Sequence, residues 1–133
     1  MHLSAPIKAE MTLCLMPVNL AESHYDSFLI NVLPKLQEQK VALLAMKSMV
    51  FGRIFERAKD LAPGVITPRN LHEYVYSLPV SCMLSGCETV AQVDENTAIL
   101  ENYTGMTEDR RKELMAAVEK IAGPGLEFYK RKI

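Results

Sequence analysis

The sequence predicts an α/β fold in which helices cover a parallel sheet. Three apolar segments, 11–19, 41–49 and 80–86, are too short for ordinary helices and do not alternate with polar residues, which is typical of strands that are covered on both faces. Amphipathic segments lie between and after them. Because strands that alternate with helices are joined by crossovers, we expect the three strands to be parallel.

Composition limits the classes of function. The chain has 133 residues, 49% of them hydrophobic, and a formal net charge of -1. This balance argues against nucleic acid or an anionic membrane as the main partner. Apolar runs fall well short of the ~20 residues that span a bilayer. The N-terminal residues lack the pattern of a secretory signal, so we expect a cytoplasmic protein. No linker or repeat divides residues 1–133, which we expect to form a single domain.

The cysteines are interpreted as structural. Cys14, Cys82 and Cys87 have no CxxC spacing, and the histidines form no ligand pair with them, so we predict no metal site. Cys14 and Cys82 lie within apolar runs, where a free cysteine behaves as a small hydrophobic residue. We therefore expect buried thiols.

Four helices are predicted from apolar spacing and from capping residues. The first lies within 22–40, and Pro34 should kink it. The second begins at Thr67 with Pro68 in its first turn. The third runs from Thr89 to about residue 101, and the last begins at Thr107 and ends before the glycines at 123–125. Segment 51–66 reads as a loop with a short helix.

Three parallel strands form a poor free-standing sheet, because both edges and part of each face remain exposed. The pattern therefore indicates either a piece of a larger fold or a chain that pairs with another copy through its strand edges.

The turn after the third strand has two interpretations. A strand, a small-residue turn with Gly86, and a helix start form the usual anion site of α/β proteins, where free backbone N–H groups point at a phosphate. Residues 89–92, Thr-Val-Ala-Gln, also fit a capping box, in which Thr89 and Gln92 serve the helix itself. These residues alone do not decide between a phosphate site and a capped helix.

Polar residues also follow the other two strands. Lys47 and Ser48 follow the second strand and Asn19 follows the first, at the strand ends where parallel sheets bind ligands. Lys47 is equally explained as a surface lysine, and Asn19 as a turn former.

Three segments resemble the C-terminal part of an aldo/keto reductase. "LMPVN" is similar to that family's sixth strand, and "LLAMKSMVFG" is similar to its seventh strand in the branch that carries Met-Lys. "LPVSCMLSGCETVAQVDENTAIL" resembles the eighth strand and the following helix. The most specific match there is the spacing of Gly86, Gln92, Glu95 and Asn96.

The resemblance implies a partial (β/α)8 TIM-type barrel of about three parallel strands with covering helices. It also implies that the cofactor is NADP or NAD. The pyrophosphate would lie along Met46, Lys47, Ser48 and Gly52. The adenosine ribose would be surrounded by Gly86, Glu88, Thr89 and Gln92, and the adenine would meet Glu95 and Asn96. Many NADP-specific members carry Lys and Arg around the 2′-phosphate, where this chain has Gly86 and Gln92, so the preference between NADP and NAD stays open.

The resemblance assigns no catalytic residue to this chain. Members of the family reduce carbonyls with an Asp, Tyr, Lys and His that come from the first four strands, and the matched segments contain no counterpart. We therefore expect a chain that is inactive alone. The alternative is a non-catalytic nucleotide-binding or self-assembling α/β module.

Overall fold

The computed structural model describes residues 11–131 as a mixed α/β fold around a parallel sheet. The strands are β1 (Leu13–Pro17), β2 (Ala42–Met46) and β3 (Cys82–Met83), and they pair in the order β1-β2-β3. Leu13 pairs with Ala42, and Leu44 pairs with Cys82, so all carboxyl ends lie at one edge of the sheet. The α/β class predicted from the three apolar runs is confirmed.

The helices alternate with the strands or follow them. They are α1 (Phe28–Asn31), α2 (Leu33–Glu38), α3 (Arg53–Ala58), α4 (Pro68–Tyr76), α5 (Val90–Glu101) and α6 (Glu108–Val118). Short 3-10 turns span Glu22–His24, Val50–Gly52, Glu119–Ile121 and Phe128–Lys130.

The local signals set the helix boundaries. The predicted first helix divides into α1 and α2 because Pro34 falls in the first turn of α2, where its missing N–H costs least. Thr67, Thr89 and Thr107 each accept a hydrogen bond from the backbone three residues on, as N-cap residues do. The predicted starts of α4, α5 and α6 are confirmed.

The core lies between the sheet and one layer of helices. Its fully buried members include Val18, Leu36, Ile54, Leu71 and Leu114. Val18 directly follows β1, and the others come from α2, α3, α4 and α6, so these helices each contribute one face to the same core. Among residues 11–131, no helix is long and apolar enough to cross a membrane.

The expectation that the strands are covered on both faces is wrong for the described part of the chain. In β1, Leu13 is 53% exposed and Leu15 is 46% exposed, whereas Met16 is buried. Helices cover only one face, and an uninterrupted apolar run carries no information about which face is left open. For the same reason Cys82, on the short edge strand β3, is exposed and not a buried thiol, and Cys87 in the turn after β3 is exposed as well. Cys14 is partly buried, and burial raises the pKa of its thiol.

Candidate functional site

A cleft of about 740 Å³ opens at the carboxyl ends of β2 and β3. Parallel sheets place their ligand sites at this edge, because the loops that follow the strands meet there. Most of the residues predicted to bind a dinucleotide line this cleft, namely Met46, Lys47, Ser48, Gly52, Gly86, Glu88 and Gln92. Residues from the loop after β2 and from the turn after β3 are thus brought together across the sheet edge.

Thr89 and Gln92 form the capping box of α5. The Gln92 backbone N–H donates to Thr89 Oγ1 over 3.3 Å, and Gln92 Oε1 accepts from the backbone N–H groups of Glu88 and Thr89 at 2.7 and 3.3 Å. The capped-helix interpretation of residues 89–92 is therefore confirmed. A phosphate at this turn would have to use other donors, since these three N–H groups are already paired.

Three of the predicted cofactor residues do not line the cleft. Thr89 serves as N-cap, and Glu95 is exposed on α5. Asn96 is half-buried, and its amide nitrogen donates to Ser85 Oγ at 3.1 Å and to Cys87 Sγ at 3.2 Å. Asn96 therefore ties α5 to the turn after β3.

His72 lies beneath the same turn. It is completely buried, and its Nε2 is 3.5 Å from Ser85 Oγ. Its Nδ1 has no hydrogen-bond partner among the described residues. Burial lowers the pKa of His72 from 6.5 to about 4, because the imidazolium ion would lose its hydration. The ring is therefore neutral at physiological pH.

Lys47 supplies a positive charge to the cleft. Its Nζ lies 4.2 Å from the centroid of the Tyr129 ring and 5.3 Å from that of Phe51. No ion pair joins Lys47 to a carboxylate of residues 11–131. An ammonium ion held over two rings retains most of its charge for a ligand, since cation–π contacts do not neutralise it.

The loop after β2 has an unusual backbone. Lys47, Val50 and Phe51 have φ angles of 59°, 50° and 57°, in the left-handed region that Gly52 (φ 78°) also occupies. A β-branched valine is rare there, and each such residue costs roughly 1–2 kcal/mol. Val50 is fully buried, so core packing holds the loop in this shape. Backbone strain of this kind clusters at ligand sites.

The side-chain oxygen and nitrogen of Asn19 are both hydrogen-bonded within the protein and so are not free for a ligand in the cleft. Its Oδ1 accepts from the Ala21 backbone N–H at 2.9 Å, as a turn former does. Its Nδ2 donates to Glu127 Oε1 at 3.2 Å and to the Tyr129 hydroxyl at 3.1 Å. The alternative role as turn former is confirmed, together with a long-range contact to the C-terminal segment.

The C-terminal segment 123–131 is joined to the turn after β1 by a buried charge cluster. Lys130 Nζ lies 3.3 Å from Glu22 Oε1 and 3.2 Å from Glu127 Oε2, and it donates to the Tyr25 carbonyl at 2.7 Å. Burial raises the pKa of Glu22, although the Lys130 charge and hydrogen bonds from the Phe28 and Leu29 backbone oppose this.

Several residues of the cleft were not predicted. Phe51 and Phe55 lie in the segment interpreted as a loop, and Ser85 and Cys87 lie in the small-residue turn. The position of Ser85 directly before Gly86 was the available signal. Tyr129 does not line the cleft, but its ring holds Lys47, and no local pattern connects two residues so far apart in sequence.

Residues 11–131 contain no group of three His, Cys, Asp or Glu side chains arranged to hold a metal ion. The family models, curated proteins and solved structures compared with this chain gave no match.

Proposed function

We propose that this chain is the cofactor-binding part of an NAD(P)H-dependent aldo/keto reductase, folded as part of a (β/α)8 barrel. The observation that carries the proposal is the meeting of the loops after β2 and β3 at one cleft. Its volume of about 740 Å³ falls within the roughly 300–1,000 Å³ that small-molecule and cofactor sites occupy. The uncovered apolar face of β1 supports the barrel, since that face would be the barrel interior.

Each end of the cleft suits one part of a dinucleotide. Lys47, with no carboxylate partner among the described residues, would bind the pyrophosphate. Glu88 would accept hydrogen bonds from the adenosine ribose hydroxyls, as acidic residues do in NAD sites. Its negative charge would repel a 2′-phosphate. We therefore propose that NAD⁺ binds more tightly than NADP⁺.

The proposal includes binding without turnover by this chain alone. Carbonyl reduction by hydride transfer needs a positioned proton donor. Tyr129 contacts Lys47, but its hydroxyl donates to Glu127 at 2.9 Å and accepts from Asn19. Burial and the Glu127 carboxylate also raise its pKa, which makes Tyr129 a poor acid. The catalytic groups would have to come from another polypeptide segment.

Calorimetric titration of the purified chain with NAD⁺ and then NADP⁺ tests the proposal. We expect saturable binding of NAD⁺, and a loss of affinity of about 10- to 100-fold in Lys47→Met, because a charge-assisted hydrogen bond contributes roughly 1.5–3 kcal/mol. Glu88→Gln should reduce the difference in affinity between NAD⁺ and NADP⁺.

Lys120→Met is the matched control, since Lys120 is exposed and does not line the cleft. It makes the same change of charge and should leave the affinity unchanged. Equal losses of affinity in Lys47→Met and Lys120→Met would show that the nucleotide binds only by nonspecific charge attraction. Absence of binding by the folded wild-type chain would refute a cofactor role.

A second candidate function is self-assembly through the strand edges and the uncovered sheet face. Leu13, Leu15 and Leu84 are each about half exposed. A second pocket of about 400 Å³ lies beside the edge strand β3, lined by Tyr76, Val80, Ser81, Cys82, Met83, Leu100 and Tyr103. Exposed apolar surface on a sheet favours an interaction with a partner surface.

Light scattering of the purified chain measures its mass in solution and so tests self-assembly directly. Self-assembly predicts a mass of at least twice the 14.9 kDa chain, and Leu15→Glu should shift the protein to monomer because it buries a charge at the interface. Ile30→Glu is the control, as Ile30 is 64% exposed on α1, away from the sheet. A wild-type monomer at all accessible concentrations would exclude this function.

A further inference from the structure

We propose that Ser85 is a ligand-contacting hydrogen-bond donor of the cleft, aimed by His72 and Asn96 at an anionic phosphoryl oxygen. The inference rests on the proposed nucleotide function and deepens it by naming the group that receives the pyrophosphate on the β3 side. Ser85 lines the cleft and is half-buried, so it lies between the protein interior and the open space.

Asn96 fixes the first hydrogen bond of Ser85. Its Nδ2 lies 3.1 Å from Ser85 Oγ, and an amide nitrogen only donates. Ser85 Oγ is therefore the acceptor. The same Nδ2 also donates to Cys87 Sγ at 3.2 Å, which holds the Asn96 amide in this orientation across the turn.

His72 provides the second hydrogen bond. The neutral ring carries one proton, on either Nδ1 or Nε2. A proton on Nδ1 would leave a buried N–H donor without a partner among the described residues. Buried orphan donors are rarer than under-satisfied acceptors, so the proton belongs on Nε2. Nε2 faces Ser85 Oγ at 3.5 Å, the outer limit of a hydrogen bond, and donates to it.

The proton of Ser85 is consequently left for a third partner. A hydroxyl has two acceptor lone pairs and one proton, and Asn96 and His72 occupy the lone pairs. The remaining O–H points to whichever acceptor enters the cleft. Lys47 lines the same cleft with an ammonium ion, and a cation and a hydroxyl donor together suit a phosphate oxygen.

Titration with inorganic pyrophosphate tests Ser85 apart from the whole dinucleotide. We expect pyrophosphate to bind the full chain, and its affinity to fall about tenfold or more in Ser85→Ala. Ser85→Thr retains the hydroxyl and should stay close to wild type. Ser85→Cys nearly preserves the volume but offers a weak donor, and it should lose affinity as Ser85→Ala does.

His72→Phe tests whether Ser85 needs the hydrogen bond from His72 or only its own hydroxyl group. This variant removes the hydrogen bond from His72 to Ser85 Oγ, so the Ser85 proton is no longer held toward the cleft. We expect a loss of pyrophosphate affinity that lies between wild type and Ser85→Ala. Urea denaturation of each variant shows whether a loss of pyrophosphate affinity arises only because the variant is unfolded.

Unchanged pyrophosphate affinity in Ser85→Ala and Ser85→Cys would overturn the inference, as would the absence of pyrophosphate binding by wild type. Pyrophosphate binding that depends on Ser85, in a chain that binds neither NAD⁺ nor NADP⁺, would refute the proposed cofactor while upholding the role of Ser85.

Discussion

Replacing Lys130 with methionine is expected to lower the free energy of unfolding by about 3–5 kcal/mol, the usual cost of removing one partner from a buried ion pair. The side chains of Lys130, Glu22 and Glu127 are almost completely inaccessible to solvent. Without the ammonium ion, two carboxylates would be left in the interior with only neutral donors. Methionine has a similar length and an unbranched chain, so the loss measures charge more than volume.

Urea denaturation of the wild-type and Lys130→Met chains provides the measurement, with Lys120→Met as an exposed control that should differ by less than about 0.5 kcal/mol. The deficit of Lys130→Met should shrink as the pH falls, because burial raises the pKa of Glu22 and this carboxylate then binds a proton. A loss below about 1 kcal/mol would show that the cluster is not buried in solution.

His72 is expected to make the protein less stable in acid. Its pKa falls from 6.5 to about 4 on folding, so between these values the unfolded chain binds a proton that the folded chain does not. The contribution of His72 to the free energy of unfolding is therefore fully present above pH 6.5 and decreases as the pH falls towards 4. A shift of this size corresponds to about 3 kcal/mol at the acid end.

The difference between wild type and His72→Phe isolates this contribution. Glu22 acts in the opposite direction, since its pKa is raised and protonation favours the folded chain, but Glu22 is present in both proteins. We expect the free energy of unfolding of His72→Phe, followed by urea denaturation, to depend less on pH between 6.5 and 4. Parallel curves for wild type and His72→Phe would contradict a buried neutral imidazole.

Local features of the sequence were sufficient for the presence of three strands and for the starts of α4, α5 and α6. The N-caps Thr67, Thr89 and Thr107 act within three residues, and the break at Pro34 follows from one missing N–H, so each can be recognised without knowledge of the fold. Strand-end positions likewise placed Lys47 and Gly86 at one cleft, because parallel strands align their carboxyl ends.

Features that depend on distant contacts were not predictable. Lys130 meets Glu22 across 108 residues of chain, and no spacing rule joins them. The exposure of Cys82 depends on what covers the edge strand, which an apolar run does not specify. The spacing of Thr89 and Gln92 fits both a capping box and a phosphate turn, and only the observed hydrogen bonds showed that these two residues serve the helix.

The central proposal is that the loops after β2 and β3 form a dinucleotide site, and backbone amide NMR during a titration with NAD⁺ tests it most directly. We expect saturable shifts concentrated at Lys47, Ser48, Ser85 and Gly86, with little change in α6. Saturable shifts confined to the uncovered face of β1, or no shifts at millimolar NAD⁺, would contradict a cofactor site in this cleft.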